Sequence, residues 1–222
     1  MLSFLAKSVP RSQTAHTNPI IYEDGRASVQ FHAPNTGFIM THTLPPTTKE
    51  HGVSLIQPPF HLHKYQNEHF RVHQGSGKFY MGLSKDPFAI LAGPGNTLNA
   101  KQTATIPAGR YHRFENNTTD EPLVLDIQLD PEAYESEQRF FRNFFGYLND
   151  CKKAKTEPSI FQLMVFLHSA DTPIAVPVPA FLETTVGVFL SSTLTAMLAF
   201  WGSWVLGYQT TYPEYYEPNK SK

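Results

Sequence analysis

At 222 residues the chain can bury one good-sized core and carry extensions, but it is too short for two ordinary domains. A net charge of −1 with no long basic run excludes nucleic acid as a partner. The single cysteine, Cys151, excludes an intrachain disulfide and suits a reducing compartment.

Residues 1–19 are expected to form a mobile leader. Met1-Leu2-Ser3-Phe4-Leu5-Ala6-Lys7 lacks an apolar run long enough for a secretory signal, so the protein is not expected to be secreted. A hairpin follows, Ile20–Tyr22 and Ala27–Phe31, turned at Asp24-Gly25. Residues 37–44 read as a strand. Residues 68–83 read as a second hairpin with Gly75-Ser76-Gly77 as its turn. Further short strands fall at 88–91, 102–106, 111–116 and 123–129, separated by Gly, Pro and Asn. Short strands punctuated in this way predict a mainly β fold, a barrel or jelly roll over residues 20–130, with no helix before Pro131.

The pattern changes at Asp130-Pro131. Proline is a frequent helix opener, and Glu132, Glu135 and Glu137 suit a helix N-terminus. Phe141, Phe144, Phe145 and Leu148 then recur at helical spacing; such a stripe packs, here on the barrel's outside or across one end of it. A second helix is expected at 159–168. Residues 131–180 thus form a helical extension that ends in a linker broken by Pro173, Pro177 and Pro179. The last unit, 181–222, is a hydrophobic C-terminal helix with a short tail. Its charge-free run from 184 to 208 is 25 residues long and exceeds the ~20 needed to cross a bilayer. Trp201, Trp204 and Tyr208 would then mark one interface. Two readings stay open: a terminal transmembrane helix separable from the barrel, or an interface with a second subunit in a homodimer.

The chemistry concentrates in two stretches. The first is His61-Leu62-His63-Lys64-Tyr65-Gln66-Asn67-Glu68, followed by Gly75; the second is Pro107-Ala108-Gly109-Arg110-Tyr111-His112, followed by Asn116. On a strand, His61 and His63 point to one face because side chains alternate with period two. With Glu68 and His112 they make a three-nitrogen, one-oxygen shell that suits Fe(II), Mn(II), Ni(II), Cu(II) or Zn(II) and leaves positions open. Fe(II) is favoured. His69 and His73 fall outside the ligand spacing, and Asn116 suits a turn.

These stretches resemble the two signature motifs of the cupin superfamily. His61 to Gly75 keeps the spacing of the first, and Pro107, Gly109, His112 and Asn116 keep that of the second. The glycines that usually lead each motif are replaced by Leu55 and Lys101. The resemblance covers roughly residues 20–130. It implies a cupin β-barrel with His61, His63, Glu68 and His112 as metal ligands and Glu68 doubling as a general base. Tyr65, Phe79, Tyr111 and Phe114 flank the motifs and are expected to line an aromatic pocket.

With its helical, hydrophobic tail the chain is similar to fungal cupin-domain oxidoreductases of secondary-metabolite pathways. That similarity implies a metal-dependent oxidoreductase or dioxygenase acting on a small aromatic or polyketide-like metabolite. Two alternatives belong to other classes: a redox-neutral isomerase, cyclase or decarboxylase using the metal as Lewis acid, and a non-enzymatic small-molecule-binding cupin. The expected location is the cytoplasmic face of an intracellular membrane, or the cytoplasm if the C-terminal helix is an interface.

Overall fold

A computed structural model describes residues 2–94 and 101–218. Among these described residues nine strands form, all between Ile20 and Asp130: β1 (Ile20–Tyr22), β2 (Ala27–Phe31), β3 (Met40–Leu44), β4 (Asn67–Gln74), β5 (Ser76–Met81), β6 (Ala89–Ala92), β7 (Thr103–Ile106), β8 (His112–Asn116) and β9 (Leu123–Asp130). They form a six-stranded sheet in the order β1-β2-β3-β9-β4-β7 and a three-stranded sheet in the order β6-β5-β8. Every pairing between named strands is antiparallel. Period-two patterning sets which face is inside: Ala27, Val29 and Phe31 of β2 and Leu123, Leu125, Ile127 and Leu129 of β9 are buried. Phe70, Phe79 and Phe114 bridge the two sheets with ring centroids 4.9–5.9 Å apart. This is the jelly-roll barrel expected.

Two local expectations are corrected. Residues 68–83 are not a hairpin: β4 pairs with β7 and β9, whereas β5 pairs with β6 and β8. Gly75, at φ +72°, carries the chain round the corner between sheets, and a Cβ there would sit 2.4 Å from the Pro122 carbonyl oxygen. A glycine at a sheet corner and a glycine in a hairpin turn give the same sequence signal. Nor do His61 and His63 lie on a regular strand. Their segment is extended but held by isolated bridges, from His61 to His112 on one side and to Ile174 on the other.

After β9 come α1 (Tyr134–Lys153) and α2 (Ile160–Ser169). α1 begins three residues past Pro131, with the Ala133 N–H donating to Glu137 Oε1 at 2.8 Å. α3 (Val188–Phe200) is extended by π-type turns at Glu183–Gly187 and Trp201–Val205, so the helical run covers Ala180–Val205. Its patterning is inverted. Small residues, Ser191, Thr195, Ala199 and Gly202, are buried against the protein, while Phe189, Met197, Phe200, Trp201 and Trp204 are exposed.

The termini are tied down. Asp150 accepts hydrogen bonds from the Ser12 backbone and hydroxyl (2.7 and 2.6 Å) and from the Tyr215 hydroxyl (2.7 Å). The leader is therefore not free over this stretch, and the tail packs on α1, where a side chain at Gly146 would strike the Tyr215 ring. Tyr208 is buried too, its oxygen accepting the Lys7 N–H at 2.9 Å, so it does not join Trp201 and Trp204 outside. Residues 219–222 of the tail lie outside the described residues.

Candidate metal centre and its cavity

Three separate elements deliver the four donors. His61 and His63 come from the bridging segment, Glu68 from the start of β4 and His112 from the start of β8. His61 and His112 exchange backbone hydrogen bonds of 3.1 and 2.9 Å, which sets their side chains together on one face. One donor atom from each of the four residues lies within 4.8 Å of the others. His112 Nε2 is 2.6 Å and His63 Nε2 3.5 Å from Glu68 Oε2.

Each imidazole is oriented from behind. His61 Nδ1 meets the Pro59 carbonyl at 2.9 Å, and His112 Nδ1 meets the Arg110 carbonyl at 2.9 Å. Carbonyls only accept, so both Nδ1 atoms carry protons. His63 Nδ1 meets Thr172 Oγ1 at 3.1 Å; that hydroxyl donates to the Ala170 carbonyl, leaving its lone pair for the histidine N–H. All three rings therefore turn Nε2 inward, as metal-binding histidines held by an outer partner do. The inward His63 Nε2 has no hydrogen-bond partner among the described residues. Three imidazole nitrogens and a carboxylate thus converge in a buried spot, as the ligands of one cation would. The donor set fits a divalent transition metal.

The electrostatics agree. Burial, reinforced by the neighbouring His112 and His63, pushes His61 well below the usual histidine range, so it is neutral, as a ligand must be. Burial alone would raise Glu68, but the imidazoles of His112 and His63 that face it outweigh burial and hold the carboxyl well below the usual range.

His61, His63 and Glu68 of the cluster form one wall of a cavity of about 270 Å³. The opposite wall is the α1 stripe, Phe140, Phe141, Phe144, Phe145 and Leu148, which closes the barrel's end over the donors. Of the four aromatic residues expected there, only Phe114 lines the cavity. Tyr65 is 68% exposed. Phe79 is spent in the inter-sheet core. Tyr111 faces the other way, with Ser191 Oγ at 2.8 Å from its hydroxyl and the Val176 carbonyl at 3.2 Å. Nearness in sequence to a motif does not fix the face on which a side chain lies. The sequence reading missed Thr172, Gln57 and His42. The inward position of His42 follows from the alternation Met40-Thr41-His42-Thr43-Leu44, whereas nothing local marks Thr172.

The fold and this site define a cupin with a buried centre of three histidines and one glutamate. No family profile matches the sequence. The probable oxidoreductase virH of Hypocrea virens is 30% identical over 230 residues, which is 99% of this chain and 96% of that protein. The oxidoreductase iacF of Pestalotiopsis fici is 34% identical over 127 residues, 55% of this chain and 58% of that one. Among solved structures, the cupin domain of Schizosaccharomyces pombe Cnp3 aligns with a TM-score of 0.35 and 13% identity over 54% of this chain and 70% of that one. The chain belongs to the family of fungal oxidoreductases that includes virH.

Proposed function

We propose that the chain is an Fe(II)-dependent oxygenase acting on a small aromatic or polyketide-like molecule held in the cavity beside His61, His63, Glu68 and His112. One observation carries this reading: three of the four convergent donors, His61, His63 and Glu68, open onto a phenylalanine-walled cavity near the small end of the ~300–1,000 Å³ range of ligand pockets. A metal bound there would supply Lewis acidity and, if iron, electrons for dioxygen. The three histidines, each fixed by its Nδ1 partner, and Glu68 would hold it. Glu68, an ionised carboxylate, takes a proton from an acidic hydroxyl or C–H of the substrate. The α1 phenylalanines exclude water from the reacting centre and give flat carbon frames a surface to lie on. The test is oxygen uptake by iron-loaded protein against a panel of phenols and enolisable diketones. The reading expects uptake that needs both substrate and iron and is lost in His112→Ala. Turnover that proceeds unchanged without oxygen would replace it with the Lewis-acid isomerase, cyclase or decarboxylase.

The outward face of α3 supports a second part of the proposal: the protein works at the cytoplasmic face of an intracellular membrane. Phe189 and Trp204 are 67% and 68% exposed on a helix whose other face is docked on the protein. A helix shielded along one side suits seating in the bilayer surface rather than spanning as a lone segment.

A further inference from the structure

The cavity holds more polar atoms than the metal centre uses. His42, on β3, is 2% exposed and lines the cavity, and neither of its ring nitrogens has a hydrogen-bond partner among the described residues. Its surroundings are rings: Phe145 stands edge-on at 5.5 Å between centroids and Phe114 lies at 6.3 Å. Other polar groups on the same wall are committed. The Ser54 hydroxyl donates to Glu23, and the Thr172 hydroxyl serves Ala170 and His63. Gln57 Oε1, also on the wall, is the one further buried cavity atom without a partner outside the donor cluster, among the described residues.

A buried imidazole with both nitrogens unpaired leaves two desolvated polar groups unsatisfied, a cost that a purely packing role does not repay. Phenylalanine would fill the same space among Phe114 and Phe145 without that cost. A ligand can supply the missing partner. A neutral imidazole offers one N–H donor and one acceptor nitrogen, and Gln57 Oε1 is an acceptor. A hydroxyl can donate to either acceptor and accept from the imidazole N–H. A carbonyl can only accept, and a hydrocarbon does neither.

We propose that His42 is the specificity-determining residue of the cavity, reading a hydroxyl on a flat aromatic ligand and so fixing which edge of that ligand faces the metal centre. The inference deepens the proposed function and rests on its reading of the cavity as the substrate site. It extends that reading by making the ligand a hydroxylated aromatic and by placing recognition on β3, apart from the four donors.

The test uses two probes of one shape, 2-naphthol and naphthalene, in equilibrium dialysis against the full metal-loaded chain. Wild type should hold 2-naphthol at least about tenfold more tightly than naphthalene, the scale of one buried polar group left unpaired. His42→Phe should bind both alike, with naphthalene affinity within about twofold of wild type and metal content unchanged; His42→Gln should recover part of the preference. Direct coordination of naphtholate by the metal would favour 2-naphthol equally in wild type and His42→Phe, so the difference between the proteins isolates His42. An undiminished preference in His42→Phe, or none in wild type, overturns the role of His42 and leaves the cavity reading standing. Failure of both probes to bind wild type overturns the cavity as a ligand site, and the role of His42 with it.

Discussion

Thr172 does for His63 what backbone carbonyls do for His61 and His112: it accepts the Nδ1 proton and turns Nε2 toward Glu68. Thr172→Val keeps the shape and removes the acceptor. Metal affinity, read by competition with a chromophoric chelator, should fall at least about tenfold, the usual effect of losing such an outer partner. Equal affinity would mean that packing alone orients the ring. His42 gives a second prediction. Burial lowers its pKa from 6.5 to about 4, with Glu68 opposing. Above pH 6.5 neither folded nor unfolded chain protonates it, so it adds no pH dependence there. Between 6.5 and 4 the unfolded chain takes up a proton that the folded chain refuses, and stability falls with pH. The loss amounts to about 3 kcal/mol. In urea titrations between pH 7 and 4, wild type should lose about that much more stability than His42→Leu. Parallel losses would show that His42 is protonated without cost. These residues also mark the limit of the sequence. The four donors were legible because their spacing is a geometric constraint. Thr172 was not, because its contact with His63 spans 109 positions and depends on how the linker returns to the barrel.

Among the elements, strands were more legible than their partners. The alternation in β2, β3 and β9 fixed which residues point inward, but Gly75 could not tell a corner from a hairpin. The α1 stripe was visible as a packing face; that it roofs the metal centre depends on the course of the chain after Pro131. α3 was legible as apolar, yet its direction of burial is set by side-chain size. Small residues admit close approach to the protein body, and the large rings are left outside. The proposed membrane seating predicts that full-length protein pellets with anionic phospholipid vesicles, and that Phe189→Asp combined with Trp204→Asp leaves it in the supernatant with its metal content intact. Wild type that stays in the supernatant with a mass of two chains, and becomes one chain in the double variant, would make the same face a homodimer interface.

For the molecule as a whole, the N-terminal segment, α1 and the C-terminal tail form one clasp centred on Asp150. The sequence suggested that residues 181–222 could be removed to leave an intact barrel. Tyr208, Tyr215 and Tyr216 are buried in that segment, and at roughly 1.5–3 kcal/mol for each large side chain their loss approaches the whole stability of a typical domain. Deletion of 181–222 should therefore give protein without a cooperative thermal transition. A truncated chain that melts sharply and keeps its metal would show that the barrel stands alone.

The central claim, that His61, His63, Glu68 and His112 form one metal centre, is tested most directly by elemental analysis of the chain reconstituted with Fe(II) and desalted, beside His61→Ala and His112→Ala. The account predicts one bound metal per wild-type chain and, in both variants, affinity weakened by at least about tenfold with the fold retained. Wild type that retains no metal, or variants that retain as much as wild type, would contradict it.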